Sequence, residues 1–164
     1  MDNLVFEKAR SRDAVALAEA SRDAFHSDVH CGAPPGPPCG PPGYKSPKWQ
    51  SKMMRIADYY KIVIDDAQAN CPRVIGGIIV MRQGTRAYEL ARIFVDPEFQ
   101  NRGIGTRAIE FLWKKYPLAK RWTLGTPAWN FRTRHFYKKV GFVEVGMDNH
   151  GGVLFERRIV AMAK

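Results

Sequence analysis

The segment from Ile93 to Thr106 has the residue types and spacing of a phosphate-binding turn. It reads Ile-Phe-Val-Asp-Pro-Glu-Phe-Gln-Asn-Arg-Gly-Ile-Gly-Thr, a pattern in which a strand ends, a turn follows and a helix begins at two glycines. Helix starts expose unpaired N–H groups and carry partial positive charge, so they bind phosphate oxygens. Gly103 and Gly105 lack side chains that would hold a pyrophosphate away from the backbone, and Arg102 adds a positive charge. A glycine-containing turn without a ligand stays open as the alternative.

Two other phosphate-binding motifs do not fit this segment. A P-loop needs Lys followed by Ser or Thr after its last glycine, where this chain has Thr106-Arg107. A dinucleotide-binding fingerprint needs an acidic residue about 20 residues further on, whereas no acid lies between Glu110 and Glu144. The segment is therefore typical of neither class of nucleotide-binding protein.

Positive charge is concentrated around the same segment. The chain has 26 Lys and Arg against 16 Asp and Glu, a net charge of +10, and Glu110 is the only acid between residues 100 and 140. Such a balance favours a polyanionic partner, which could be a nucleic acid, an anionic membrane or a phosphate-rich cofactor. A net charge that only keeps the protein soluble is the alternative.

The elements that must position this segment follow from apolar periodicity and from turn residues. Strands are predicted from Leu4 to Ala9, Tyr60 to Ile64, Arg73 to Met81, Ala87 to Val95, Trp122 to Thr126, Phe142 to Val145 and Val153 to Val160. Helices are predicted after Ser11 or Asp13, from Trp49 to Tyr59, after Gly103 and from Asn130 to Val140. This order predicts an α/β fold with a mixed sheet.

The length and composition fit a single globular domain. At about 150 residues per domain, the 164 residues are predicted to form one domain over residues 1–164. Residues 31–43 are an insertion in which ten of the thirteen residues are Gly or Pro. The glycines do not repeat every third residue as in collagen, so this segment is predicted to be an extended, polyproline-like surface loop.

Several classes of protein are excluded at this point. The longest apolar run, Val74 to Met81, has eight residues, against about 20 for a membrane-spanning helix. The charged first thirty residues leave no room for a signal-peptide core, and three cysteines do not form a secreted disulfide framework. We therefore expect a cytoplasmic protein. His26, His30, Cys31 and Cys39 have no spacing typical of a zinc site, so we expect no metal.

Two separate motifs resemble one family. Gln100-Asn-Arg-Gly-Ile-Gly105 matches the Gln/Arg-x-x-Gly-x-Gly signature of the GNAT superfamily of acyl-CoA-dependent N-acetyltransferases. Asn130 followed by Phe136-Tyr137-Lys-Lys-Val-Gly141-Phe142 resembles the Asn-containing helix and the Tyr-x-x-x-Gly-Phe ending of that family. The resemblance covers nearly the whole chain. It implies a mixed central sheet of about six to seven strands flanked by about four helices, with a V-shaped opening between the fourth and fifth strands that receives acetyl-CoA.

The resemblance also implies which residues hold the cosubstrate. Backbone groups of Ile93 and Val95 would pair with the pantetheine arm, and Asn130 would form a hydrogen bond near the thioester. Backbone N–H groups would hold the pyrophosphate along the turn formed by Gln100, Asn101, Arg102, Gly103, Ile104, Gly105 and Thr106. The phosphates of CoA would then account for the positive charge between residues 100 and 140 without a nucleic acid.

Acetyl transfer to an amine needs one group that accepts a proton and one that donates a proton. Tyr137 matches the tyrosine acid of the family, with a packed core tyrosine as the alternative. Glu89 is the candidate base, because it shares the strand parity of Ile93 and Val95, where a charge is unexpected. A salt bridge at the strand end is the alternative for Glu89, in which case water would take the proton.

We therefore expect an acetyl-CoA-dependent N-acetyltransferase that acts on a primary amine by direct attack in a ternary complex. The acceptor is expected to be a small molecule or a peptide, and neither a membrane nor a nucleic acid is an expected partner. A GNAT-like CoA-binding module without turnover and a basic nucleic-acid-binding protein stay open as alternatives. In the family the acceptor is set by the region between the first two helices. In this chain that region contains the unusual 31–43 loop. A homodimer also stays open.

Overall fold

The computed structural model describes residues 3–160. The strands are β1 (Leu4–Lys8), β2 (Asp58–Asp66), β3 (Cys71–Arg82), β4 (Ala87–Val95), β5 (Arg121–Pro127), β6 (Val143–Met147) and β7 (Gly152–Arg158). The helices are α1 (Ala14–His26), α2 (Pro47–Ile56), α3 (Ile104–Lys115) and α4 (Phe131–Lys139). Short 3-10 turns lie at Ser11–Asp13, Ser27–His30 and Pro97–Phe99. This order of elements confirms the predicted α/β fold. No helix between residues 3 and 160 has the length and apolar character that crossing a membrane requires.

The boundary between α2 and β2 differs from the prediction, which extended the helix to Tyr59. The Ser46 side chain accepts a hydrogen bond from the N–H of Trp49, and the helix begins at Pro47. It ends at Ile56, because Ala57 takes an extended backbone. Tyr59 then packs as a strand residue, buried beneath α1 and α2.

The seven strands form one sheet in the order β1-β2-β3-β4-β5-β7-β6. All neighbouring strands are antiparallel except β4 and β5, which run parallel. That parallel ladder is short, from the pair Ala87 and Arg121 to the pair Glu89 and Thr123. Beyond Glu89 the two strands separate within the described part of the chain, and the sheet opens as a V between its fourth and fifth strands.

The helices cover the two faces of this sheet and bury an apolar core on each. On one face, α3 contributes Ile104, Ile109 and Leu112, which pack with Trp122 and Phe155 of the sheet. On the other face, α1 and α2 bury side chains that include Leu17 and Met53. Removing these apolar surfaces from water is the main driving force that holds the layers together.

A β-bulge interrupts β4 just beyond its contact with β5. Arg92 lies opposite Ile79 of β3, whereas Leu90 lies opposite the next residue, Val80. Ala91 is therefore an extra residue with no partner on β3. Such a bulge bends the strand and changes the face to which the following side chains point.

The bulge corrects the predicted parity of Glu89. Leu90 before the bulge, and Ile93 and Val95 after it, all pack in the core under α3 and α4. Because side chains alternate along a strand, Glu89 points to the opposite face from Leu90. The expectation that Glu89 shares a face with Ile93 and Val95 is therefore wrong.

Residues 31–43, the Gly/Pro loop, form no helix or strand and are mostly exposed. At its start, the carbonyl of Cys31 accepts a hydrogen bond from the N–H of Phe131, 3.2 Å away. Near its end, the carbonyl of Pro42 accepts a hydrogen bond from Nη2 of Arg92, 2.6 Å away. The loop is therefore joined to the start of α4 and to β4, on both sides of the V.

Candidate active site

A cavity of about 490 Å³ lies where β4 and β5 separate. Its walls are the end of β4, the turn before α3, one face of α4 and the last turn of α1 with the 3-10 turn that follows. The walls are mostly apolar, and their polar residues lie at the start of α3, along α4, which includes His135 and Lys139, and in the 3-10 turn. A ligand in this cavity would lie along the free edge of β4.

The turn before α3 presents backbone N–H groups to the cavity. Asn101 and Gly103 have left-handed backbones, with φ of 61° and 77°, and α3 begins immediately after them. Arg107 makes the first backbone bond of the helix, to the carbonyl of Gly103. The N–H groups before Arg107 in the first turn therefore have no partner within the helix, as in an anion-binding helix start. The cavity is lined here by Gln100, Asn101, Gly103, Ile104, Gly105 and Thr106.

The two glycines of this turn have different structural roles. At Gly103 a side chain would meet nothing within 4 Å, so the positive φ is what favours glycine. At Gly105 a Cβ would lie 3.1 Å from the ring of Phe136, so a small residue is favoured by the packing of α3 against α4. Arg102 is exposed and does not line the cavity, and its guanidinium lies 5.3 Å from the centroid of the Phe99 ring.

The cavity side of β4 carries the two residues predicted to pair with pantetheine. Ile93 and Val95 line the cavity, and β5 no longer pairs with them. The carbonyl of Val95 accepts a hydrogen bond from Nε2 of Gln100, 2.8 Å away. Oε1 of the same side chain accepts a hydrogen bond from Nη1 of Arg132, 2.7 Å away. Gln100 thus connects β4 to α4 across the cavity.

Tyr137 lies on α4 and lines the cavity, with 8% of its surface exposed. Its ring packs with Phe136, Phe142 and Phe155. Burial raises the pKa of the phenol well above its ordinary value, and the negative charge of Asp28 raises it further. The hydroxyl therefore keeps its proton over the whole ordinary pH range.

Besides Arg102, two further residues predicted for the site do not line the cavity. Asn130 is 1% exposed, and its Oδ1 accepts a hydrogen bond from the N–H of Thr133, which caps α4. Glu89 lies at the last paired position of β4 and β5, and its carboxylate accepts a hydrogen bond from Nε2 of Gln83, 2.6 Å away. The roles given to Asn130 and Glu89 stay predictions.

Asp28 is the site residue that the sequence did not reveal. It lies in the 3-10 turn after α1, is 9% exposed, and is the only acidic residue lining the cavity in the described part of the chain. Its Oδ1 lies 2.5 Å from Nη2 of Arg132. Burial raises the pKa of the Asp28 carboxyl, and the charge of Arg132 opposes this effect. A single acidic residue between His26 and His30 matches no sequence motif for a catalytic or binding site. Only the fold shows that Asp28 lies in the cavity wall.

Metal ligands do not gather in this site or elsewhere between residues 3 and 160. No three His, Cys, Asp or Glu side chains in that range are close enough together to hold a metal ion.

Residues 58–144, more than half of the chain, match the acetyltransferase (GNAT) domain family. The matched region runs from β2 to β6 and includes both the turn before α3 and the helix that carries Tyr137. The chain therefore belongs to the GNAT family of acetyltransferases, which confirms the resemblance found in the two sequence motifs.

Solved structures have the same fold over their whole length. The PaiA N-acetyltransferase from Thermoplasma acidophilum, in complex with coenzyme A, has a TM-score of 0.73 and 17% identity, over 96% of this chain and 99% of that one. The ribosomal-protein-S18-alanine N-acetyltransferase from Escherichia coli has a TM-score of 0.70 and 16% identity, over 99% and 97%. A GNAT acetyltransferase from Elizabethkingia anophelis with acetyl-CoA bound has a TM-score of 0.62 and 16% identity, over 97% and 100%.

Proposed function

We propose that this acetyltransferase transfers the acetyl group of acetyl-CoA to a primary amine, by direct attack of the amine in a ternary complex. The observation that carries the proposal is the cavity itself, which joins a helix start with free N–H groups to the buried phenol of Tyr137. Similar proteins of the same fold hold coenzyme A or acetyl-CoA, which supports that choice of cosubstrate.

The polar groups of the cavity fit the two ends of the cosubstrate. The pyrophosphate would bind the backbone N–H groups between Gln100 and Thr106, where the positive charge of the chain is also concentrated. The pantetheine arm would lie along the free edge of β4 and form hydrogen bonds with the backbone of Ile93 and Val95. Because Gln100 occupies the carbonyl of Val95, its side chain would have to turn away when the pantetheine binds.

The reaction moves two protons away from the acceptor nitrogen. The ammonium form first gives one proton to a basic side chain or to water, since only the neutral amine has a lone pair. The amine then attacks the thioester carbonyl carbon, the carbon–sulfur bond breaks, and Tyr137 donates a proton to the departing thiolate. The resulting phenolate takes the second proton from the acetylated nitrogen, and the products are an amide and CoA thiol.

The test of the proposal is acetyl transfer to a defined panel of amines. Spermidine, an aminoglycoside, a free amino acid and a peptide with an N-terminal alanine would each be incubated with acetyl-CoA and the protein. Thiol release above the rate without amine, with a mass gain of one acetyl group on one acceptor, is the expected result. Binding of acetyl-CoA with no thiol release for any amine would instead identify a CoA-binding module without turnover.

A nucleic-acid-binding function would give a different result in a second assay. Binding to an anionic duplex would weaken steeply with added salt, because it depends on the release of counterions from phosphates. Under the proposed function, CoA binds in the cavity and a mixed-sequence duplex does not compete for it. Displacement of CoA by the duplex at physiological salt would contradict the proposal.

A further inference from the structure

The wall of the cavity contains a carboxylate that belongs to no motif of the chain. Asp28 lies there on the 3-10 turn after α1, beside Ala24 and Phe25 of that helix. Tyr137 of α4 lines the same cavity and is close enough to feel the charge of Asp28. The proposed proton donor and this carboxylate thus share one small, largely apolar space.

The surroundings of Asp28 make it the natural partner for an incoming ammonium group. It is the only acidic side chain among the described residues that line the cavity. Its other charged neighbour is Arg132, whose guanidinium binds Oδ1 at 2.5 Å and Gln100 at 2.7 Å. The charge of Arg132 favours the ionised form of this carboxylate, which burial disfavours. A positively charged acceptor that enters this cavity would meet no second acidic side chain among the described residues that line it.

Glu89 has none of these properties. It does not line the cavity, it points to the opposite face of β4 from Leu90, Ile93 and Val95, and Gln83 is bound to its carboxylate. For Glu89 to take a proton from an amine in the cavity, a chain of intervening waters would be needed.

We propose that Asp28 binds the ammonium group of the acceptor and takes its first proton. The inference rests on the proposed function and names a residue of the same site. The proton passes from nitrogen to a carboxylate oxygen of Asp28, and the neutral amine then attacks the thioester. Tyr137 separately protonates the thiolate. After release of the products, Asp28 returns its proton to water, so no further reactant is needed.

The groups that face Asp28 fit this role. It faces Arg132 and Tyr137 of α4 and the cap residue Asn130, while the β4 residues that line the cavity are all apolar. The other charged or titratable residues of α4 in the cavity wall are His135 and Lys139. Burial moves the pKa of the Asp28 carboxyl upwards, closer to neutral pH, where a general base works best. Arg132 acts in the opposite direction, so its removal would move the pKa of Asp28 still higher.

The first test measures three isosteric variants, with the best acceptor of the amine panel as the substrate. In Asp28→Asn, kcat is expected to fall by about 10²–10⁴-fold. The decline of the wild-type rate towards acidic pH, called the acidic limb of the pH–rate profile, should also disappear. Asp23→Asn, on the exposed surface of α1, is the matched control and keeps the rate of the wild type. If Glu89→Gln shows the loss of rate and of the acidic limb while Asp28→Asn keeps both, the assignment is overturned.

The variant Arg132→Gln distinguishes a role of Asp28 as base from a purely structural role of the Asp28–Arg132 pair. If Asp28 is the base, this variant raises the pKa of the carboxyl, so the acidic limb moves to higher pH and the plateau rate falls less than in Asp28→Asn. If the pair only holds the turn after α1 against α4, kcat falls by the same factor in both variants and the acidic limb stays at the same pH in both. Circular dichroism and a CoA dissociation constant within about threefold of the wild type would establish that the variants are folded.

The proposed function can fail separately from this inference. If the wild type acetylates none of the amines although it binds acetyl-CoA, the function is wrong and the role of Asp28 falls with it. If the wild type is active and Asp28→Asn keeps both its rate and its acidic limb, only the role of Asp28 is wrong.

Discussion

The guanidinium of Arg92 stacks on the indole of Trp49, with its Cζ 3.9 Å from the ring centroid. The same guanidinium donates to the carbonyl of Pro42 through Nη2, while Nη1 is buried without a partner in the described part of the chain. Burial lowers the pKa of Arg92 to about 10, so the group stays charged at neutral pH. A residue of the β4 bulge therefore holds both α2 and the Gly/Pro loop beside the V.

The Arg92–Trp49 stack is expected to stabilise the fold. Arg92→Lys keeps the charge but loses the planar contact and the fork of donors, so the free energy of unfolding should fall by about 1 kcal/mol. Arg82→Lys is the matched control, because Arg82 is exposed and lies further from its ring, 5.7 Å from the centroid of Tyr88. Urea denaturation measures both variants. Equal losses of unfolding free energy in the two variants would show that the Arg92–Trp49 stack stabilises the fold no more than the contact between Arg82 and Tyr88.

The Gly/Pro loop is expected to select the acceptor and not to bind the cosubstrate. Its attachments are to β4 and to the start of α4, away from the turn before α3. Replacing residues 31–43 by a short Gly/Ser loop should change the relative rates across the amine panel. The dissociation constant of acetyl-CoA should stay within about threefold, ~0.7 kcal/mol. A large loss of acetyl-CoA affinity in the folded variant would place the loop in the cosubstrate site instead.

Asn101 offers a test of the phosphate-binding turn that separates binding from folding. Asn101→Asp adds a negative charge beside the free N–H groups of α3 with almost no change in shape, and Asp also tolerates a left-handed backbone. Repulsion of the pyrophosphate should weaken CoA binding by about five- to tenfold, roughly 1 kcal/mol. The same charge at a helix start should leave the melting temperature equal or higher. Calorimetry measures the affinity and the melting temperature, and unchanged affinity would contradict the assignment.

Gly103 is expected to be needed for its backbone conformation alone. Gly103→Ala forces a side chain to φ of 77°, which should cost about 1 kcal/mol of stability. Gly103→Asn should cost less, since Asn adopts this conformation more readily. Neither side chain would meet a neighbour within 4 Å at its Cβ. Denaturation curves that rank Asn below Ala in stability would show that another constraint acts at this position.

Local patterns predicted most of the fold. The range Ala87–Val95 for β4 is the same in sequence and structure, because apolar residues and flanking turns mark both of its ends. Asn130 marked the start of α4, since its side chain caps the helix. The motif around Gly103 likewise predicted the helix start that borders the cavity.

What the sequence did not predict depends on contacts between distant residues. The bulge at Ala91 has no glycine to signal it, and it arises only in the pairing of β4 with β3. Asp28 and Arg132 are 104 residues apart in the sequence, so no local pattern relates them. The predicted face of Glu89 was wrong because the bulge could not be foreseen. Asp28 was missed because its partner in the cavity wall is distant in the sequence.

Tyr137→Phe removes one hydroxyl and keeps the ring that packs among Phe136, Phe142 and Phe155. Folding and CoA affinity should therefore survive, while kcat should fall by about 10²–10⁴-fold, or roughly 3–5 kcal/mol of barrier. The pH dependence follows from the direction of the pKa shift. Because burial raises the pKa of this phenol, it stays protonated beyond the ordinary tyrosine value, and the wild-type rate should not decline through its ionisation up to about pH 10.

Phe136→Leu is the matched control for packing on α4, because it alters the ring next to Tyr137 in the sequence and leaves the hydroxyl in place. Steady-state rates from neutral pH to about pH 10 and CoA titrations would be measured for both variants. A hydroxyl that donates a proton gives a large loss of kcat in Tyr137→Phe at unchanged CoA affinity, and a much smaller loss in Phe136→Leu. Near-normal kcat in Tyr137→Phe, or equal losses in the two variants, would leave Tyr137 with a packing role only.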